Sequence, residues 1–348
     1  MRSSKCRFAR AGVGIALLIS ATGLVACGGD SEQSSTSGAS EQAKPLKEVS
    51  FRFDVTASGY VAPFVLAKEK GWYEEAGLDV SFGEGSGSGA TIQLVDNGKD
   101  TFGWADFGTL MTLVAQGVNV KAVSIVGQLS PVAVIARAGG PVKSIKDLEG
   151  RRLLLNPRGA SAALFKAVVE AQQLDESKID RVNTSADVTN ATLLARNRID
   201  AFVGWETFEL PAVRELGVDP LVLPFRDAGV NPMNVAIMAG GKTIEEDPDT
   251  VRAFVQTSLK GWQYAAEHPD EAITALADEY PQVNADIAKQ QLEAQMELLH
   301  TPASEGKPIG WAAAEDVERT QQTLLDTKLL TEKRDVADYY TDQFVADS

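Results

Sequence analysis

Residues 49–55 read VSFRFDV, residues 61–77 VAPFVLAKEKGWYEEAG and residues 78–82 LDVSF; a glycine-rich turn, GEGSGSGA (83–90), then leads into TIQLVDNGK (91–99) and DTFGWAD (100–106). Val49, Phe51, Phe53 and Val55 alternate with polar residues, the period of a strand with one buried face. From Tyr60 to Glu75 the apolar residues Val61, Phe64, Val65, Ala67 and Trp72 follow helical spacing, and Gly77 supplies the stop. A strand over 78–82, a helix over 90–97 and a strand over 101–104 complete the run. Strands alternating with helices imply βα units, so the fold class is α/β with a largely parallel sheet.

The same rhythm continues over 121–136, restarts at 151–155 and persists to about residue 225. After Thr243 only helices are predicted, over 249–267, 269–280, 285–299 and 312–325, with a terminal piece over 336–345. One internal echo stands out. Asn97, Asp100, Phe102, Trp104 and Asp106 are matched about a hundred residues later by Asn197, Asp200, Phe202, Trp205 and Glu206. Short strands often look alike, but a true repeat would place a tryptophan at the carboxyl end of an equivalent strand in each of two lobes. That is where open α/β sheets bind ligands.

The chain has 348 residues, enough for about two domains, and its 44% hydrophobic content is that of a globular protein. Its formal charge of -15 would repel nucleic-acid phosphates, so no nucleic-acid partner is expected. Two histidines and two cysteines are too few for a His-rich metal centre or a disulfide framework, and neither a metal nor a cofactor is expected. His268 and His300 sit at predicted helix boundaries, where capping or solvation is the common role.

The candidate ligand residues cluster at strand-to-helix turns. Gly85, Ser86, Gly87 and Ser88 lie in a turn whose backbone N–H groups would face an anion or polar acceptor at a helix start; an unliganded loop is the plainer alternative. The spacing Gly85-x-Gly87-x-x-Ala90 also fits a dinucleotide fingerprint, weakly. Asn156 to Ser161 forms the corresponding turn of the second half. There Arg158, with Gly159 and Ser161, is the cation placed to pair with a carboxylate or sulfonate, or else a solvated surface group. Ser58 and Tyr60 sit between the first strand and helix, where Ser58 would commonly act as a cap. Trp104 and Trp205 are read as facing aromatic walls or, individually, as core. Asp106, Gln128, Ser130, Glu206 and Asn234 complete the set, and no constellation supports catalysis.

The N-terminus reads as an address. Arg2, Lys5, Arg7 and Arg10 precede an apolar stretch over 11–25 that is too short for a permanent span. Leu24-Val25-Ala26-Cys27 followed by Gly28-Gly29 resembles a bacterial lipoprotein signal. Residues 1–26 are then expected to be removed, Cys27 to carry the lipid, and 27–47, nearly devoid of apolar side chains, to form a flexible tether.

Residues 63–80, 85–89 with 97–106, 143–150, 156–161 and 199–206 together make the chain similar to the solute-binding proteins of ABC importers, in the group that includes alkanesulfonate, nitrate, taurine and thiamine-pyrimidine binders. The resemblance implies a two-lobed type II periplasmic-binding fold, each lobe a mixed, mostly parallel sheet flanked by helices. Lobe 1 would comprise 48–136 plus 237–348 and lobe 2 137–236, hinged near 135–137 and 231–236. It further implies capture of a solute for an ABC permease and ATPase; with the signal at Cys27 and the two tryptophans, the expectation is a monomer, lipid-tethered to the outer face of a cell membrane or in the periplasm, that holds a small planar solute (a sulfonate, an aromatic carboxylate or a pyrimidine). The pyrimidine branch carries a Trp and a His near the first turn, whereas this chain has Thr56-Ala57-Ser58-Gly59-Tyr60. The alternative is an exported enzyme of pyrimidine or nucleotide-dependent redox chemistry.

Overall fold

The structure is a computed structural model that describes residues 45–156, 160–182 and 189–345. The expected leader, lipidated Cys27 and most of the tether lie outside the described residues, as do Arg158 and Gly159. Ten strands are described: β1 Lys47–Arg52, β2 Leu78–Gly83, β3 Phe102–Asp106, β4 Val120–Ile125, β5 Val132–Arg137, β6 Arg152–Leu154, β7 Asp180–Val182, β8 Ala201–Trp205, β9 Pro220–Pro224 and β10 Val235–Gly240. They build two five-stranded sheets of the same plan, ordered β2-β1-β3-β10-β4 and β7-β6-β8-β5-β9. In each, four strands run one way and one reversed strand is inserted between them, β10 in the first sheet and β5 in the second. The inserted strand is always the one that has just crossed from the other lobe.

This corrects two expected boundaries, one of them at Val235 and Ala236, which were assigned to lobe 2 but begin β10 of the first sheet. Residues 132–136 were assigned to lobe 1, yet β5 pairs along its whole length with β8 and β9 of the second sheet. The alternation of Val132, Val134 and Ala136 with Ala133 and Ile135 buries both faces, so apolar content alone does not reveal which sheet receives the strand. The passages between sheets are therefore 126–131 and 229–234.

The predicted helix over 60–75 is three pieces, a 3-10 turn Gly59–Val61 and helices Ala62–Glu69 and Trp72–Glu75. Gly71, at φ 72°, breaks it, because a left-handed residue cannot continue a right-handed helix. The terminal piece expected over 336–345 is reduced to the turn Val336–Asp338. Elsewhere the helices fall near their predicted places: Pro248–Glu267, Pro269–Glu279, Ala285–Met296 and Ala314–Asp326. Pro248 starts the first of these after Asp247, whose carboxylate accepts from the Thr250 N–H, a proline-led start with its cap in place.

The first sheet carries an apolar core on each face. On one, Phe51, Phe53, Phe64, Phe102, Phe254 and Trp262 pack the sheet against the C-terminal helices. Phe102 and Phe254 stack at 4.1 Å with an interplanar angle of 6°. The opposite face buries Ile92, Phe107, Met111 and Leu324. Both faces of the second sheet are likewise covered. The two lobes touch directly where the Tyr60 ring of the first meets Phe208 of the second, 5.4 Å between centroids.

Candidate functional site

β3 and β8 end at matching places. Asp106 pairs with Val235, the first residue of β10, and Trp205 pairs with Val132, the first residue of β5. Each terminal residue also starts a helix, Phe107–Ala115 after Asp106 and Glu206–Glu215 after Trp205. The internal echo is thus real in architecture, but in register it matches Trp205 with Asp106; Trp104 lies two residues earlier on its strand.

The two crossover segments pass over these strand ends and are tied together. The Ser130 N–H donates to Asn231 Oδ1 at 2.7 Å, and the Asn234 N–H donates to the Gly127 carbonyl at 2.7 Å. The Asn234 carbonyl in turn accepts from the Phe107 N–H. Beside them lies a cavity of about 310 Å³ lined from the first lobe by Gly89, Asp106, Thr109 and Thr112, and from the second by Ser161, Leu164 and Trp205. Ser130, Met233 and Asn234 of the crossovers complete the floor, and Leu324 and Leu329 near the C-terminus close one wall.

Asp106 is held from below. Its Oδ1 accepts from both the Thr109 N–H and the Thr109 hydroxyl at 2.7 Å, an N-cap that fixes the side chain at the helix start. Its own N–H donates to Ser88 Oγ, which donates to Asp54 Oδ2 at 3.2 Å; the Tyr60 hydroxyl donates to Asp54 Oδ1. Burial raises the Asp106 carboxyl to about 6, offset in part by the bonds from Thr109, with the Asp54 charge adding to the rise. Burial likewise raises Asp54, against the pull of Tyr60 and Ser88. Asp106 is the only charged residue among the described residues lining the cavity, and His, Cys and Lys are absent from that described lining. Asn234 is 4% exposed and its Oδ1 is buried without a hydrogen-bond partner.

Of the residues anticipated from sequence, the cavity gathers Asp106, Ser130, Ser161, Trp205 and Asn234. The other described ones serve elsewhere. Trp104 is fully buried in the first lobe, its ring 5.0 Å from Phe64 and 5.8 Å from Trp262, so the pair of facing tryptophans is not formed. Period-two geometry sends Trp104 into the same core as Phe102. Tyr60 is buried against Trp104, and Ser58 makes no capping bond, its hydroxyl being buried and unpartnered. In the glycine turn the N–H groups of Gly85 and Gly87 already donate to the Val55 and Asp54 carbonyls, so they do not form an open anion cradle. A Cβ at Gly85 would stand 2.2 Å from the Phe53 carbonyl oxygen, which accounts for the glycine there. Ser86 is exposed, and of this loop only the following Gly89 reaches the cavity.

Gln128 is a structural stitch, donating to the Trp311 carbonyl at 2.7 Å and accepting from the Ser304 hydroxyl at 2.6 Å. Glu206 pairs with Arg226 at 2.5 Å in a separate depression between helices Glu206–Glu215 and Ala285–Met296; burial raises its carboxyl and Arg226 opposes this. Thr109 and Thr112 were missed although their i, i+3 spacing after the β3 end was a usable signal. Leu324 and Leu329 carried none, because only the folded chain brings the last helix to this place. The described residues contain no group of three or more metal-ligating side chains and no helix long and apolar enough to cross a membrane.

Comparison with known proteins places these features in a wider set. Residues 58–272 match the model of a family described as NMT1/THI5 like. The riboflavin-binding protein RibY of Chloroflexus aurantiacus is 24% identical over 317 residues, 89% of this chain and 90% of that one. A Legionella pneumophila protein named 4-amino-5-hydroxymethyl-2-methylpyrimidine phosphate synthase is 20% identical, covering 83% and 89%. The periplasmic aliphatic sulphonate binding protein SsuA of Escherichia coli superposes with a TM-score of 0.65 at 17% identity, covering 84% of this chain and 91% of that one. Other relatives are named as binding proteins for aliphatic sulfonates and for formylaminopyrimidine.

Proposed function

The chain belongs to the NMT1/THI5-like family, and from that premise we propose that it is the substrate-binding component of an ABC importer, capturing one small planar organic solute between its lobes and handing it on unaltered. The observation that carries this reading is the cavity at the paired ends of β3 and β8, where Asp106 of one lobe and Trp205 of the other line a single space beneath the two crossovers.

Relatives named as binding proteins for riboflavin, sulfonates and formylaminopyrimidine support the reading, as does a lining that offers an indole and hydroxyls but no nucleophile–base pair among the described residues. Closure is a shift of population: a solute touching both lobes gains contacts only when they are together, and that difference holds them shut. The Tyr60–Phe208 contact marks where the lobes meet. A permease with its ATPase is the partner that such a receptor serves. Acylation at Cys27, a tether to the outer face of the cell membrane and a monomeric state complete the proposal.

The test is titration of intrinsic tryptophan emission with lumichrome, a neutral planar heterocycle. Saturation at one equivalent is expected, with Trp205→Ala weakening affinity at least tenfold, the scale of a lost stacking partner together with its buried area. Equal affinity in the variant would remove Trp205 from the site.

A further inference from the structure

Beside the hydroxyls of Thr112, Ser130 and Ser161, the cavity lining includes two strong acceptors, Asp106 and Asn234, and these bear on what enters. The two hydrogen bonds from Thr109 both fall on Asp106 Oδ1, which leaves Oδ2 as the oxygen to meet a ligand. Next to it, in the crossover just before β10, Asn234 is held by main-chain bonds at its N–H and carbonyl, while its side-chain Oδ1 is buried without a partner. An unpartnered buried acceptor costs stability unless something donates to it. A carboxylate beside it multiplies that demand, because hydrogen bonds to charged acceptors are the stronger kind. The charge that acts on Asp106 is that of a second carboxylate, Asp54.

From this we infer that the ligand is a nitrogen heterocycle, neutral or cationic, whose ring or exocyclic N–H groups donate to Asp106 Oδ2 and Asn234 Oδ1 while its face lies against Trp205, and that Asp106 is the residue that rejects sulfonates and carboxylates. The inference deepens the receptor reading above and rests on it. An anion brought to Asp106 would meet like charge in a poorly solvated place, and specificity of this kind commonly comes from the repulsive element as much as the attractive one. Trp205 is indifferent to ligand charge sign in comparison, since any flat ring can stack on it.

The experiment uses the mature chain and three flat probes: lumichrome (neutral, with N–H donors), 2-aminobenzimidazole (a base partly protonated at this pH, with N–H donors) and naphthalene-2-sulfonate (anionic, no donor, with two rings like the base), each titrated calorimetrically at pH 7.5. The wild type is expected to bind the two donors at least thirtyfold more tightly than the sulfonate. Asp106→Asn, which preserves the helix cap, should lose at least tenfold for 2-aminobenzimidazole and gain for the sulfonate; Asn234→Ser, as the second variant, should weaken lumichrome without improving the sulfonate. Sulfonate binding as tight as that of the donors overturns the inference and leaves the receptor reading standing. Failure of all three probes overturns both.

Discussion

Trp104→Ala is expected to destabilise the protein by about 3–5 kcal/mol, the range for deleting a large aromatic ring from a packed core, while leaving solute affinity within about threefold of wild type when measured well below the melting transition. Trp104 is fully buried and touches Phe64, Trp262 and Tyr60, so the variant leaves a hole in the centre of the first lobe. No part of the ring lines the cavity. Trp205→Ala is expected to do the reverse, because that indole is only half-buried and its free face is in the cavity. Urea denaturation paired with emission titration separates the two. A Trp104→Ala protein of normal stability that binds no solute would restore the two-wall arrangement and contradict the geometry described here.

The second large effect concerns pH. The Asp106 carboxyl rises from an ordinary 3.8 to about 6, chiefly through burial. An acid whose folded value lies above its unfolded one makes the folded state bind more protons between the two values, so stability falls as pH climbs from 4 to 6 and the full burden, about 3 kcal/mol, is present above 6. Asp106→Asn keeps an oxygen for the Thr109 bonds and cannot ionise. The variant should therefore be more stable than wild type at pH 7.5 by up to that amount, with the gap closing below pH 4. Asp54 faces Asp106 and is itself raised by burial, so it adds a parallel decline that the variant retains in weakened form. Denaturation midpoints measured from pH 4 to 8 report this directly, and equal stability of the two proteins at pH 7.5 would refute it.

The fold was legible because its signals are local. Alternation in 49–55, helical spacing up to Glu75 and a glycine turn before the next helix each reflect a period that the backbone imposes, and the structure returns β1, the helices and β2 at those places. The assignment of β5 failed because a strand buried on both faces reads the same in either sheet. At the site, the strand ends were recognisable, so Asp106, Trp205 and Ser161 were singled out, and all three line the one cavity. Trp104 is misplaced by the sequence repeat because the repeat aligns two tryptophans, whereas hydrogen-bond register aligns Trp205 with Asp106. Gln128 and Glu206 were placed near the strand ends correctly, but their side chains turn to Ser304 and Arg226, partners 176 and 20 residues away in the chain. Contacts of that reach are properties of the folded chain and leave no mark on the local sequence.

The central claim is that one cavity, walled by Trp205 and floored by Asp106, holds a single solute that leaves unchanged. Native mass spectrometry of the protein incubated with lumichrome tests it most directly. One adduct per chain is expected in wild type and none in Trp205→Ala at the same concentrations, with lumichrome recovered at its original mass on release. An adduct retained in full by Trp205→Ala, or a released compound of altered mass, would contradict it.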